Sequence, residues 1–427
     1  MAEPKRVALT ALGCKVNFAE MAELAGTLAA AGMEVVPEHE HADIRVLNSC
    51  TVTLQADATT RQRLRRLRRY DPAAHIVLTG CSVDANPEQY LRRDDAGAAL
   101  LPPDVDAVFA NPDKLTIADH LLQLRTAPAE TAGAATGRAR AFIKVQDGCD
   151  HRCTYCIVWK ARGAARSVPA ETVLERVRGA VERGHAEVVL CGVDLGWYGR
   201  DCGLRLHDLV AAVLDALPAG TRLRLSSINA NDITPQLAAL NARASLCSHW
   251  HLPLQSGSDH VLKAMHRGYR RRQFMRVVQW LRDADPLTEF TSDVMVAFPG
   301  ETQDDHSQTL RLIEEVGFLE CHVFRWSPRP GTPATAIEGR VDDATARRRS
   351  AEARRRALAT GAASLARAAG REHEVVWDHI EEGTAHGIAA TYHEVVVDAN
   401  VSLGAMDRVL ATGVEGRQLR GRLLRDE

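Results

Sequence analysis

From Arg6 to about Leu124, short runs of β-branched and aliphatic residues (RVALTAL, IRVLN, HIVLTG and DAVFAN) alternate with stretches of helical periodicity. This alternation predicts a doubly wound α/β domain built on a parallel sheet, an N-terminal domain over residues 1–125. The next segment, TAPAETAGAATGRAR, is rich in Ala, Gly, Thr and Pro with no apolar period, and it reads as a linker over 126–140. A second alternation follows, with candidate strands AFIKV, EVVLCG, RLRLSS, HWHLPL, FTSDVMVAF and CHVFRW separated by helix-length stretches. Six βα units predict an open or partial (β/α)6 barrel over 141–368, with its chemistry at the C-terminal ends of the strands. An Arg- and Ala-rich helix near Ala344 to Ala369 closes that segment. The tail, 369–427, places EVVWD and HEVVVDA between glycines, the pattern of a small β-barrel.

Composition adds little to this picture and narrows the compartment. The chain has 427 residues, 45% hydrophobic and 25% charged, enough for two or three cored domains. No apolar run approaches the roughly 20 residues of a membrane span, and the opening MAEPKRVALTALG lacks the apolar region of a secretory signal. A cytoplasmic protein with no membrane partner is expected. Ten cysteines in such a chain point to reduced thiols serving metals rather than disulfides. The net charge of −2 does not mark a polyanion binder, yet arginines cluster at Arg61 to Arg69, at Arg267 to Arg272 and at Arg347 to Arg356. The first and third runs read as solvated helix faces. The second lies close to candidate site residues, so phosphate contact is an equal reading there.

The strongest chemical signal is KVQDGCDHRCTYCIVW, in which Cys149, Cys153 and Cys156 are separated by three and then two residues and follow the first strand of the barrel. Three thiolates bind three corners of a four-iron cube and leave the fourth iron open to an outside ligand. A second trio is hidden by distance along the chain. Cys14, Cys50 and Cys81 each stand just past the C-terminal end of a predicted strand (RVALTALGC, IRVLNSC and IVLTGC), and in a parallel sheet those ends share one edge. Three thiols converge there on a second cluster, with Gly13 and Gly80 allowing close approach; the alternative is three small buried residues, since free cysteine is commonly buried. Cys191, Cys202, Cys247 and Cys321 show no ligand spacing and read as structural.

Both trios together resemble the radical SAM methylthiotransferase family, over nearly the whole chain and in its order of an N-terminal cluster domain, a radical SAM core and a C-terminal TRAM barrel. The resemblance implies that S-adenosylmethionine fills the open iron through its amino and carboxylate groups, with Tyr155 near the adenine. VMVAFPGET, containing Ala297, looks like the segment beside that adenine. LPLQSGS, with Gln255 and Ser256, resembles the stretch near the ribose and methionyl parts, and LCGVDLGWYG around Gly192 occupies the place of the amino-group-binding strand end. GCKVN, NSCTVT, HVFRWSPRPGTPA and ARGAARS are similar to the MtaB-type branch, which acts on N6-threonylcarbamoyladenosine in tRNA. Trp159, Lys160, Val168 and Asn229 depart from the family pattern, at positions where proline, tyrosine, arginine and glutamate are usual.

The same resemblance implies a reaction. An electron from a donor such as flavodoxin or ferredoxin lets the Cys149 cluster cleave S-adenosylmethionine to a 5′-deoxyadenosyl radical, which takes hydrogen from carbon 2 of the adenine. Sulfur associated with the cluster at Cys14, Cys50 and Cys81 then bonds to that carbon, and a second S-adenosylmethionine supplies the methyl group. The implied cofactors are two [4Fe–4S] clusters and S-adenosylmethionine, with no catalytic residue beyond the cluster ligands. The anticodon base must be splayed from its stack to reach such a site. Arg162, Arg166, Arg267 and Arg329 are candidate contacts to phosphate or the threonylcarbamoyl group. The alternatives are a MiaB-type enzyme acting on isopentenyladenosine, a RimO-type enzyme acting on a ribosomal-protein aspartate, and a non-catalytic RNA-binding iron–sulfur protein.

Overall fold

The computed structural model describes residues 5–93, 99–124 and 139–424. Packing divides the chain into two units, one formed by Met1–Gly137, Asp147–Arg152 and Cys156–Ala165, the other by Arg138–Gln146, Cys153–Tyr155 and Arg166–Glu427. The segment expected as a linker lies outside the described residues except for Ala139 and Arg140, where the first barrel strand begins.

In the first unit five parallel strands lie in the order Glu34–Val36, Arg6–Ala11, Ile44–Ser49, His75–Gly80 and Ala107–Phe109. Four are those expected from the β-branched runs; Glu34–Val36 adds a short edge strand that its three residues do not announce. Neighbouring residues of a strand point to opposite faces. Val46 and Val77 therefore pack with Leu24 and Leu28 of the helix Lys15–Ala30 on one face, while Leu47 and Leu78 pack with Leu64 and Leu67 of the helix Leu54–Tyr70 on the other. That is the doubly wound arrangement. The Leu54–Tyr70 helix is capped by the Thr53 hydroxyl, which accepts from Ala56 N at 3.1 Å, and its Arg65, Arg66 and Arg69 face solvent.

In the second unit Arg140–Asp147, Glu187–Gly192 and Arg222–Leu225 form one parallel set, and His249–His251, Glu289–Val296 and Glu320–Arg325 another. These are the six strands expected of the partial (β/α)6 barrel, running parallel in chain order. Its core is one large apolar cluster in which strand residues such as Val188, Leu223 and Phe290 meet helix residues such as Val177, Val213 and Leu312. The third arginine run lies on the helix Asp343–Ala368, where Arg347, Arg348, Arg355 and Arg356 are exposed and Arg349 is buried against Glu301.

The tail closes into a five-stranded barrel of Glu372–Glu381, Thr384–Ala389, Glu394–Val397, Met406–Glu415 and Gln418–Leu423, filled by Val375, Trp377, Val395, Val409 and Leu419. It is held to the floor of the parallel barrel by two buried arginines. Arg222 donates to the carbonyls of Glu374 and Ile388 at 2.8 and 2.7 Å, and Arg224 to those of Ala390 and Ala389 at 3.2 and 3.0 Å. Both also grip Glu187, whose carboxyl is driven below its ordinary range despite burial because the two guanidinium groups favour its charged form. Among the described residues no helix is long and apolar enough to cross a membrane.

Candidate functional site

In the first unit Cys14, Cys50 and Cys81 follow three adjacent parallel strands, and the three thiols lie close enough to act on one another electrostatically. Cys14 occupies the N-cap position of the Lys15–Ala30 helix, and Cys81 is the first residue of the short helix Cys81–Ala85. The turns that achieve this need glycine. Gly13 has φ +90°, and a Cβ there would lie 2.5 Å from Cys50 Sγ; Gly80 has φ +102°, and a Cβ there would lie 2.5 Å from Asn48 Oδ1. Cys50 and Cys81 are buried while Cys14 opens to solvent, so the site has one accessible side. Burial, with a smaller contribution from the neighbouring Cys14 and Cys81, pushes the Cys50 thiol up to about 11.

A buried polar network supports these thiols. Arg162 Nε donates to Cys81 Sγ at 3.1 Å, Nη1 reaches Glu20 Oε1 at 2.8 Å and Asp147 Oδ1 at 2.9 Å, and Nη2 reaches Asn17 Oδ1 at 2.6 Å. Asn17 in turn donates to the carbonyls of Leu12 and Ser49, pinning the ends of two cysteine-bearing strands. Lys114 Nζ joins Glu20 Oε2 at 2.6 Å and Asn48 Oδ1 at 3.1 Å. Cys156 also belongs to this unit, where its sulfur accepts from Val158 N at 3.4 Å. The helix Val158–Arg162 thus starts at one cysteine's sulfur and ends on another's.

In the second unit Cys153 is buried, and Arg267 Nη1 donates to its sulfur at 3.4 Å. The same guanidinium donates to Asn229 Oδ1 and to Pro253 O, and it stacks on the Tyr269 ring with its carbon 5.0 Å from the centroid. Its Nε is shielded from solvent and has no hydrogen-bond partner among the described residues. Tyr155 packs with Val261, Met265, Phe298 and Ala334, and Thr154 ties this segment to Ala264, Met265 and Ala334 through backbone and hydroxyl bonds.

The residues expected beside S-adenosylmethionine occupy strand ends of this unit. Gln255 and Ala297 are non-glycine residues with φ of 61° and 60°, a left-handed conformation that costs about 1–3 kcal/mol and persists only where the surroundings fix it. Gln255 is fixed by backbone bonds to Asp293 and Met295, both 2.8 Å. Ala297 N donates to Glu301 Oε2 at 2.7 Å, and Glu301 is held by Arg349. Gln255 Oε1 is buried without a partner among the described residues, an exception to the rule that buried polar atoms are paired. Ser256, by contrast, is fully buried, with its hydroxyl shared between Thr309 Oγ1 and Ser258 N, and serves the turn. At Gly192 a Cβ would lie 2.9 Å from Gln146 Oε1 and 3.0 Å from Leu195 Cα, so the strand end stays narrow.

The arginines divide. Arg166 is exposed, whereas Arg162 and Arg329 are buried at 4% and 5% exposure, and Arg267 is partly buried over Cys153. Arg162 and Arg267 therefore lie on cysteine sulfurs rather than at a surface offered to phosphate. Sequence reasoning missed His251 and Asp293, joined at 3.3 Å on adjacent strands. Asp293 is half-buried, and the His251 hydrogen bond holds its carboxyl below its ordinary range despite the desolvation. Their signal was alternation within HWH and FTSDVMV, which sets these residues on the face opposite buried Trp250 and Val294.

Residues 143–313 match the model of the Radical SAM superfamily, and residues 6–101 that of the uncharacterized protein family UPF0004. The threonylcarbamoyladenosine tRNA methylthiotransferase MtaB of Thermotoga maritima is 37% identical over 92% of this chain and 92% of its own. That of Chlamydia pneumoniae is 34% identical over 97% of each. A tRNA-2-methylthio-N(6)-dimethylallyladenosine synthase of Desulfosudis oleivorans is 34% identical over 81% of this chain and 77% of its own. The fold is shared with the radical S-adenosylmethionine methyltransferase TsrM of Kitasatospora setae, at TM-score 0.53 and 15% identity over 78% of this chain and 77% of that one.

Proposed function

Because the chain belongs to the MtaB-type branch of the radical SAM methylthiotransferase family, whose core takes a [4Fe–4S] cluster and S-adenosylmethionine, we propose that it adds a methylthio group to carbon 2 of N6-threonylcarbamoyladenosine beside the anticodon of tRNA. The observation that carries this reading is the second set of thiols. Cys14, Cys50 and Cys81 gathered on one sheet edge, open on one side, give the chain a place to hold sulfur that radical generation alone does not need.

In this reading Cys149, Cys153 and Cys156 hold the cluster that binds S-adenosylmethionine, and Cys14, Cys50 and Cys81 hold a second. Held there, the first cluster with S-adenosylmethionine would supply the radical chemistry and the second the sulfur. The protein's own groups bind and orient. Tyr155 and the Ala297 turn flank the adenine, Gln255 offers its unpaired carbonyl, and the tightly packed strand end at Gly192 faces the amino end. Ser256 shapes the loop that carries Gln255. Arg267 and Arg162 set the charge around the two sites, while exposed Arg166 is the candidate phosphate contact. Arg329, buried in the loop before Thr332, is assigned to shaping that loop. An electron donor such as flavodoxin or ferredoxin, and a second S-adenosylmethionine for the methyl group, complete the scheme.

Nucleoside mass spectrometry of tRNA from cells with and without the gene tests it. Loss of the methylthio form of threonylcarbamoyladenosine alone is expected. Loss of the methylthio form of isopentenyladenosine instead would move the chain to the dimethylallyladenosine synthases.

A further inference from the structure

The C-terminal barrel carries a group of ligand-type side chains that the proposed reaction does not use. His379 and Glu381 lie two residues apart on the strand Glu372–Glu381 and so share a face, and His386 stands directly across from His379 on the neighbouring strand Thr384–Ala389. A register shift between Trp377 and His379 brings the two histidines opposite each other, and Trp377 anchors the strand just before it through Nε1 to Asp407 Oδ2 at 2.7 Å. A bulge of this kind re-aims the side chains that follow it. The imidazole rings stack with centroids 4.6 Å apart and 8° between planes. One ring nitrogen of each histidine and one Glu381 carboxylate oxygen all lie within 4.8 Å of one another. None of the three side chains has a hydrogen bond or ion pair among the described residues, and His379 and Glu381 are exposed.

We propose that His379, His386 and Glu381 form a binding site for a divalent transition-metal ion, Zn²⁺ by ligand type, on the first hairpin of the barrel. Two imidazoles and one carboxylate are the donors that borderline ions select over Mg²⁺ or Ca²⁺, which prefer oxygen alone. Bonds of about 2.0–2.2 Å to Zn²⁺ limit two ligands of one ion to a separation of about 4 Å. The separations, none above 4.8 Å, are within an ångström of that limit, a difference that a side-chain rotation closes. Two imidazoles and one carboxylate leave at least one position for water, and exposure gives the ion a path in.

The site is independent of the methylthiolation reading. Anaerobic calorimetric titration of the full-length, cluster-loaded protein with ZnCl2 tests it, with His379→Ala, His386→Ala and Glu381→Gln alongside. Because unligated cysteines also take zinc, the difference between variants reads the site. The wild type is expected to bind one more equivalent than either histidine variant. Loss of an outer partner alone weakens a metal site roughly 10–100-fold, so loss of a ligating imidazole weakens it at least as much. Glu381→Gln, at an exposed position that does not threaten the fold, is expected to bind more weakly while its circular dichroism overlays the wild type. With Co²⁺, the wild-type-minus-variant spectrum is expected to lack thiolate charge-transfer bands. Equal stoichiometry and affinity in all four proteins, or thiolate bands in that difference, overturns the site, whereas cleavage of S-adenosylmethionine is expected to be the same in all four.

Discussion

Arg162 Nε lies 3.1 Å from Cys81 Sγ, and the helix that carries Arg162 begins where Val158 N donates to Cys156 Sγ. Five residues of helix, roughly 7 Å along the axis, therefore connect a cysteine of the radical SAM motif to one of the sheet-edge thiols. Arg162→Ala leaves Glu20 and Asp147 facing each other without their shared cation, and breaking a buried pair costs about 3–5 kcal/mol. The variant is expected to lose the iron bound at Cys14, Cys50 and Cys81, measured as iron per chain after reconstitution. Arg162→Lys, a point charge unable to reach four partners at once, is expected to fall between.

Cys153→Ala is expected to abolish both cleavage of S-adenosylmethionine and thiolation. Cys50→Ala is expected to keep some cleavage, read as 5′-deoxyadenosine, without methylthiolated product. Normal thiolation by the Cys50 variant would refute a role for the second set of thiols.

Gly13→Ala adds one carbon 2.5 Å from Cys50 Sγ at a φ of +90°. The strain is about 1–3 kcal/mol, and relieving it moves a thiol that must stay in place. Iron held at the sheet edge is expected to fall while cleavage of S-adenosylmethionine persists; full iron content would show that the turn tolerates a side chain.

Arg267 has an amide, a carbonyl, a ring and the Cys153 sulfur as partners, and no carboxylate ion pair within 4 Å among the described residues. Asn229→Asp puts a negative charge against that guanidinium. Net charge near a cluster sets its potential, so the midpoint of the Cys153 cluster is expected to drop by on the order of tens of millivolts. Redox titration followed by electron paramagnetic resonance reads this; an unchanged midpoint would remove Arg267 from the tuning of the cluster.

His393 is buried in the barrel, with Ser364 Oγ at 2.9 Å and Thr391 Oγ1 at 2.8 Å, and burial lowers its pKa from 6.5 to about 4. The unfolded chain therefore binds the proton first as pH falls. The stability this group contributes is whole above about 6.5 and is lost progressively down to about 4, on the order of 3 kcal/mol in all. Thermal melts across that window are expected to shift less for His393→Gln than for the wild type.

Much of this was legible in the chain because the signals were local. β-Branched runs gave the six barrel strands, and a cysteine after each of three N-terminal strands gave the shared edge. The arginines were not legible. Arg162 in ARGAARS is expected to contact phosphate or the threonylcarbamoyl group, yet it is buried because Glu20, 142 residues earlier, and Asp147 complete its shell. Arg222 and Arg224 sit in RLRL, an alternation that predicts one solvated face, yet all four residues are buried because the tail folds beneath them. Partners that distant leave no trace in a local pattern.

That last arrangement bears on how the protein can be cut. Arg222 and Arg224 end on four main-chain carbonyls of the tail, acceptors that no side-chain substitution deletes. A chain ending before Gly370 would expose two cations, one anion and the underside of the sheet together. The C-terminal barrel is thus a foundation of the catalytic core rather than a detachable module, and a truncation meant to isolate RNA binding would instead report on folding.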